Sequence, residues 1–364
     1  MNQKYLKKLT DLMSDNNVEA MLVAPSEDMS FLLGFSPHMD ERFQAFFLLK
    51  DGRYFYVVPK LNFEEMQKVL GKDTAIYQWD DGEGFLCKVK KAFEEFDLIG
   101  KTIGVNKSAR AVNMLDMKET MDIKFVNGNH ILEELRIIKS DDEIEKLRIA
   151  AKMADDVFAD IIKFIKPGMT EDNIREKMEE LFLEKGAEGL SFDTIIASGP
   201  NSSKPHYNEY SRVIQEKDII IIDFGCIYKG FCSDTTRTVF VGGMTEKEKE
   251  VYNTVLEANL AGEKQAKSDV SAQSVDKAAR DVIEKAGYGE YFITRTGHGI
   301  GSSVHEAPYI RSGNEQILRE GMAFSVEPGI YIPNEFGVRI EDIVVVTENG
   351  VEVLNKSQKT PVII

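Results

Sequence analysis

Apolar and polar positions change rhythm along this chain. Up to about residue 128, the apolar runs Met21-Leu-Val-Ala24, Phe46-Phe-Leu-Leu49, Tyr54-Phe-Tyr-Val-Val58, Ala75-Ile-Tyr77 and Thr102-Ile-Gly-Val105 read as strands. Polar stretches with helical spacing near 3–16, 62–70, 85–97 and 109–120 separate most of them. This alternation predicts an α/β domain built on a mixed sheet. The turn residues Asn127-Gly-Asn-His130 interrupt it, which predicts one domain over 1–128 and a second over 129–364.

In the second region the pattern is stated twice. Ser140-Asp-Asp-Glu143 has the form of a capping box, and Ile144, Leu147, Ala151, Ala154, Val157, Phe158 and Ile161 form one apolar stripe behind it. Lys166-Pro-Gly-Met-Thr170 and a second helix ending Glu184-Lys-Gly-Ala187 follow, then a strand, a loop holding His206, and an acidic hairpin. In that hairpin Ile219 to Ile222 fit a buried strand running into Asp223, Lys229-Gly230 makes the turn, and the return strand delivers Asp234. The second half opens with a capping box at Thr245-Glu-Lys-Glu248, and its later helix ends Glu284-Lys-Ala-Gly287. A strand comes next, then a loop with His298 and His305, then a hairpin bearing Glu327 and Glu341. The shared order predicts two hairpins meeting across a pseudo-twofold axis with four carboxylates in one place.

Composition narrows the partners. The chain has 364 residues, 43% apolar and 29% charged, with 45 Lys plus Arg against 61 Asp plus Glu, a net charge of −16. No basic excess exists to neutralise nucleic-acid phosphates or an anionic membrane surface. Three cysteines, Cys87, Cys226 and Cys232, form neither a CxxC pair nor an even framework, which suits a reducing compartment. No secretory leader and no run long enough for a membrane span are evident, so the expected location is cytoplasmic.

Four acids and three of the five histidines, His206, His298 and His305, fall in this repeated layout. Buried carboxylates without cations are costly. Oxygen-rich ligands with an imidazole favour magnesium, manganese or related hard ions, where thiolates would select zinc. Four negative charges balance two divalent ions, which at a spacing of roughly 3.5–4 Å can share one nucleophilic hydroxide while polarising a carbonyl. Without metal the acids repel each other and partly protonate, so the metal-free protein should be less stable.

Gly297-His-Gly-Ile-Gly301, Val304-His-Glu-Ala-Pro308, Ser325-Val-Glu-Pro-Gly329 and Val338-Arg-Ile-Glu-Asp342, taken with Asp223 and Asp234, closely resemble the motif set of the pita-bread metallopeptidases. That family includes methionine aminopeptidase, aminopeptidase P and prolidase. The first region resembles the creatinase/prolidase N-terminal domain, so the likeness spans nearly the whole chain. It implies an α/β (α+β) protein: a creatinase/prolidase-like α/β domain followed by a pseudo-twofold pita-bread catalytic domain. It also implies that Asp223 holds one metal, that Asp234 and Glu341 bridge two, and that His298 and Glu327 complete the second. His206 and His305 would orient the substrate carbonyl and stabilise the oxyanion. Glu327 would shuttle the proton, and Arg339 and Thr236 would brace the ligands. Ala307 stands where many relatives carry an acid, with no loss of chemistry expected.

The presence of the N-terminal domain favours the proline-directed branch. The chain length and the run from Tyr288 to Pro308 are most similar to bacterial Xaa-Pro dipeptidases. The resemblance therefore implies hydrolysis of the Xaa-Pro bond of dipeptides by a hydroxide bridging two divalent ions per chain. Manganese is the first expectation, with cobalt, iron or zinc as alternatives. A dipeptide places its carboxylate directly after proline, which requires a cation; Arg295 is the first candidate and Arg311 the second. The likeness further implies a homodimer in which a loop from the partner subunit reaches the site. Here that loop is Gly34-Phe-Ser-Pro-His-Met-Asp-Glu-Arg42, with His38 and Arg42 closing over the substrate.

Other chemistries fit less well. Gly297, Gly299 and Gly301 do not have dinucleotide-loop spacing, and no ribose-binding acid follows at the usual distance. Serines beside His206 and His305 lack a GxSxG elbow. Cys226 and Cys232 read as packing residues. Aminopeptidase P activity on longer peptides stays open, since substrate length is set by loops. A metal-free binding module is disfavoured because all five ligand positions are filled.

Overall fold

Met21 and Val23 face one side of a sheet and Ala20 and Leu22 the other, each side against its own apolar cluster. This alternation organises the first part of the computed structural model, which describes residues 1–364. The sheet has six strands in the order Ala75–Trp79, Tyr54–Pro59, Ala45–Leu49, Ala20–Val23, Thr102–Val105 and Lys124–Asn127. The three central strands pair antiparallel and the outer pairings are parallel, so the sheet is mixed as expected. Helices Gln3–Asp15, Phe63–Leu70, Leu86–Glu95 and Ala111–Thr120 lie within the polar stretches that predicted them. The short helix Glu27–Leu33 and the edge strand Lys124–Asn127 were not anticipated.

The contacts divide the chain into Met1–Arg136 and Ile137–Ile364, not at the expected 128/129. The physical reason is the helix Asn129–Arg136. Its Ile131, Leu132 and Leu135 are buried in the first unit's core, and Arg136 pairs with the buried Asp28 at 3.1 Å. A run of turn residues therefore marks the start of a helix here, not the end of a unit.

The second unit has the order read from the sequence. Helices Asp141–Phe164 and Glu171–Glu184 cover a four-stranded sheet, Val362–Ile363, Thr235–Phe240, Ile219–Phe224 and Ile195–Ser198. Helices Glu246–Gln265 and Ala272–Lys285 pack on strands from the second half, including Ala323–Val326 and Asp342–Thr347 of a five-stranded sheet. The capping box at Thr245 is formed: Glu248 N–H donates to Thr245 Oγ1 at 3.2 Å, and Thr245 N–H donates to Glu248 at 2.6 Å, a motif worth about 1 kcal/mol. The four isoleucines are buried on both faces. Ile220 and Ile222 lie under the first helix pair, while Ile219 joins Val251 and Val255 and Ile221 joins Tyr331. This two-sided burial explains an unbroken apolar run where a half-exposed strand would alternate. No helix of the protein is long and apolar enough to cross a membrane.

Candidate active site

Each acidic hairpin is broken in the middle, and the acids stand at the breaks. In the first hairpin Lys229 and Gly230 take φ of 46° and 75°, making the tight turn between Cys226–Tyr228 and Phe231–Cys232. The ladder lapses at Gly225 and Ser233 and resumes with Phe224 opposite Thr235 and Asp223 opposite Thr236. Asp223 thus lies two residues before the gap and Asp234 inside it. In the second hairpin Glu327 falls between Ala323–Val326 and Gly329–Ile332, and Glu341 between Phe336–Arg339 and Asp342–Thr347. A strand break redirects a side chain that regular pleating would have sent to one face. The two halves are stitched there: Glu341 N–H donates to the Thr236 carbonyl at 3.1 Å.

His298 reaches the same place from the strand Gly297–Gly299, whose pairing shifts register between His298 and Gly299. A Cβ at Gly297 would lie 1.8 Å from the Ser325 carbonyl oxygen, and one at Gly299 2.1 Å from that of Ala307. Only glycines on both sides let His298 sit this close to its neighbouring strands. Its Nδ1 is 3.1 Å from the Gly299 carbonyl, to which it can donate, and its Nε2 faces the acids. Nε2 is 3.2 Å from Glu327 and 3.5 Å from Asp234.

These groups line a cavity of about 660 Å³ with His206, His305, Arg295 and Arg339. The rings of His298 and His305 meet edge-on at 4.3 Å. Potential ligand atoms of Asp234, His298 and Glu341 all lie within 4.8 Å of one another. The other two acids are turned toward protein partners. Asp223 accepts from Arg339 at 2.6 Å, and Glu327 accepts from Ser325 at 3.0 Å. Arg339 also donates to Thr236 at 3.0 Å and Tyr331 at 2.8 Å, and Thr236 donates in turn to Glu341 at 2.7 Å.

Charge in the cavity does not balance. Burial raises Asp234 and Glu341 well above the usual carboxylate range, and the neighbouring acids push in the same direction. Burial also raises Asp223, against the opposing effect of Arg339. Burial would raise Glu327 too, but His298, Arg339 and Ser325 outweigh it and bring it below its ordinary value. His305 is pushed down to about 4, by loss of hydration first and then by His298 and Arg295. Asp223 Oδ1 and Glu341 Oε1 are buried with no hydrogen-bond partner. Orphaned carboxylate oxygens beside an imidazole nitrogen form a hard, oxygen-rich donor set that suits divalent cations.

Not every expected residue is in the cavity. Arg311 is exposed and donates to the Ser312 carbonyl at 3.1 Å, outside the lining. His38 and Arg42 belong to the first unit, where Arg42 pairs with Asp81 and Glu41, each at 2.9 Å. The lining also includes Phe192, Asp193, Tyr207, Tyr210 and Tyr331, which the sequence reading did not single out. Only Tyr331 had a local signal, two residues beyond the Glu327-Pro-Gly329 motif.

Residues 145–348 match the metallopeptidase family M24, and residues 6–138 match the creatinase/prolidase N-terminal domain. A Xaa-Pro dipeptidase of Pyrococcus horikoshii is 35% identical over 360 residues, covering 99% of this chain and 98% of that protein. A prolidase structure from Thermococcus sibiricus superposes with a TM-score of 0.94 at 35% identity over all of both chains. An X-Pro aminopeptidase structure from Thermotoga maritima gives 0.86 at 31% identity over 99% of each. With a pita-bread unit following a creatinase-like one, this chain belongs to the metallopeptidase family M24.

Proposed function

We propose that the protein hydrolyses the Xaa-Pro bond of dipeptides with two divalent ions, manganese first among them, held by Asp223, Asp234, His298, Glu327 and Glu341. The observation that carries this reading is the cavity's surplus of buried carboxylate, with orphaned oxygens on Asp223 and Glu341. When bound, the ions would supply an activated water and polarise the scissile carbonyl. Arg339 and Thr236 orient Asp223 and Glu341 through their hydrogen bonds. His305, held neutral by its surroundings, can donate a hydrogen bond to the oxygen that becomes negative in the transition state, and His206 faces the same cavity. Glu327 can carry the proton to the leaving proline nitrogen.

Arg295 suits the substrate carboxylate. It lines the cavity with its guanidinium 5.2 Å over the Tyr309 ring, and no carboxylate of the protein pairs with it. The names of the Pyrococcus, Lactobacillus and Thermococcus relatives support the dipeptidase choice. The Thermotoga aminopeptidase keeps a second reading in view, release of the first residue from longer Xaa-Pro-Xaa peptides. Manganese-supplemented hydrolysis of an Xaa-Pro dipeptide, set against an Xaa-Pro-Xaa tripeptide, decides between them. Cleavage of the dipeptide is expected; cleavage of the tripeptide alone would reject this reading.

Two further parts rest on the resemblance and on composition. A homodimer would bring the 34–42 loop of a second copy, with His38 and Arg42, over the substrate. A strictly monomeric variant with full dipeptidase activity would remove that part. A cytoplasmic location accords with three free thiols.

A further inference from the structure

Arg237 is the largest fully buried side chain of the protein and lines no cavity described above. All its donors are engaged. Nη1 donates to the carbonyls of Thr236 at 2.9 Å and Glu341 at 2.6 Å. Nη2 donates to Asp342 Oδ1 at 2.7 Å and to the Ser357 carbonyl at 3.0 Å, and Nε donates to the Gln358 carbonyl at 3.2 Å. One guanidinium therefore joins the strand after Asp234, the backbone of Glu341 itself, and residues 355–359, which contribute nothing to the cavity lining.

Residues 355–359 repeat this grip with other side chains. Asn355 Nδ2 donates to Thr235 Oγ1 at 2.7 Å, next to Asp234. Asn355 Oδ1 accepts from Ile343 N–H at 2.9 Å, two residues past Glu341. Lys359 Nζ lies 2.8 Å from Asp342 Oδ2 and donates to Asn259 Oδ1 at 2.9 Å. Asn259 Nδ2 in turn donates to the carbonyl of Val326 at 2.8 Å, the residue before Glu327. The neighbours of three acids at the hairpin breaks are thus fixed from one short segment.

We infer that Arg237 and residues 355–359 form a strap that positions the metal-binding carboxylates, with Arg237 and Asn355 as its positioning residues. Strand breaks free Asp234, Glu327 and Glu341 from regular pairing, so their backbones need another source of register. Apolar side chains could fill the same volume without desolvating a charge; they could not hold the Glu341 carbonyl and the Thr235 hydroxyl in place. Groups that orient metal ligands from behind are worth roughly 10- to 100-fold in metal affinity.

This inference rests on the metal assignment proposed above, and the experiment separates the two. Manganese affinity is measured by calorimetric titration of the metal-free protein for wild type, Asp234→Asn, Asn355→Ala and Arg237→Lys, alongside each metal-free melting temperature. Lysine brings three donors to the five acceptors Arg237 serves. Asn355→Ala, the milder change, is expected to weaken manganese binding about tenfold, and Arg237→Lys by up to about 100-fold. A merely structural role would lower the metal-free melting temperature and leave affinity unchanged. Should Arg237→Lys fail to fold, Asn355→Ala decides alone: affinity within about threefold of wild type overturns the strap. If wild type itself binds no manganese, or binds it as Asp234→Asn does, the metal assignment fails instead.

Discussion

Two buried acidic sites in this chain are built to opposite rules. In the first unit Asp28 is one carboxylate facing one guanidinium, Arg136 at 3.1 Å, with Asn106 donating at 3.2 Å. In the second unit Asp223, Asp234, Glu327 and Glu341 share a cavity with a single paired guanidinium, that of Arg339. The first arrangement balances one negative charge with one positive charge, although Asp28 Oδ1 makes no hydrogen bond. The second is left with excess negative charge, four acids against one paired guanidinium, which is the state expected of a place that takes up cations. Burial of acid alone does not separate a structural site from a working one. The local charge balance does.

The sharpest way to break this contrast is to neutralise one acid in each place. Asp234→Asn removes a carboxylate from the donor group and is expected to abolish stoichiometric metal uptake. Several kcal/mol of lost transition-state stabilisation correspond to a fall in kcat/KM of about 10³-fold or more. Asp28→Asn should instead cost about 3 kcal/mol or more of stability, as breaking a buried pair does, with metal content per folded chain unchanged. Metal analysis and denaturant unfolding of both variants check this. Equal metal loss in the two would erase the distinction.

Next in size is His305. Removing its donor by His305→Ala is expected to lower kcat by about 10²-fold, the effect of losing one oxyanion contact, while metal stoichiometry stays intact. Steady-state kinetics at saturating manganese test it; an unchanged kcat would remove His305 from the reaction. Arg295→Leu should act on binding. Loss of a charge-assisted hydrogen bond to the substrate carboxylate, about 1.5–3 kcal/mol, raises KM for a dipeptide roughly tenfold or more with kcat little altered. A dipeptide amide, lacking that charge, should show almost no difference between the two enzymes.

Legibility in the sequence followed the range of the interaction responsible. The four isoleucines, the capping boxes at Ser140 and Thr245 and the Lys229-Gly230 turn are local, and each formed where its pattern placed it. The edge strand Lys124–Asn127 escaped notice because two of its four residues are exposed and two only half-buried, leaving little apolar signal. The packing of helix Asn129–Arg136 is hidden because Asn127-Gly-Asn-His130 has the composition of a linker, while burial of the following helix is a tertiary matter. Arg295 and Arg311 are equivalent by composition, and only the packing puts Arg295, over the Tyr309 ring, in the cavity lining. Arg237, Asn355 and Lys359 could not be found at all. Each has a partner 100 or more positions away, and no periodicity records such a bond.

The smallest expected effect is also the most diagnostic of charge imbalance: the pH dependence of the metal-free fold. Asp234 and Glu341 have folded-state values well above those of the unfolded chain. The folded state therefore binds more protons than the unfolded state between the two values, and its stability must rise as pH falls. Stability from these protonated acids is complete below the ordinary carboxylate range and is lost as pH climbs through their raised values. Bound cations compensate the same charges, so metal and acid replace each other. The metal-free protein should melt several degrees higher near pH 5.5 than near pH 8, since about 1 kcal/mol moves a domain of this size by some 2–4 °C. The stabilisation added by manganese should shrink over the same interval, because protons compete for the same oxygens. Asp234→Asn should flatten the metal-free slope, whereas Asp28→Asn should leave it in place. A metal-free melting temperature that rises with pH across this window would show that the cavity acids are already compensated by the protein, as Asp28 is, and would dissolve the contrast between the two units.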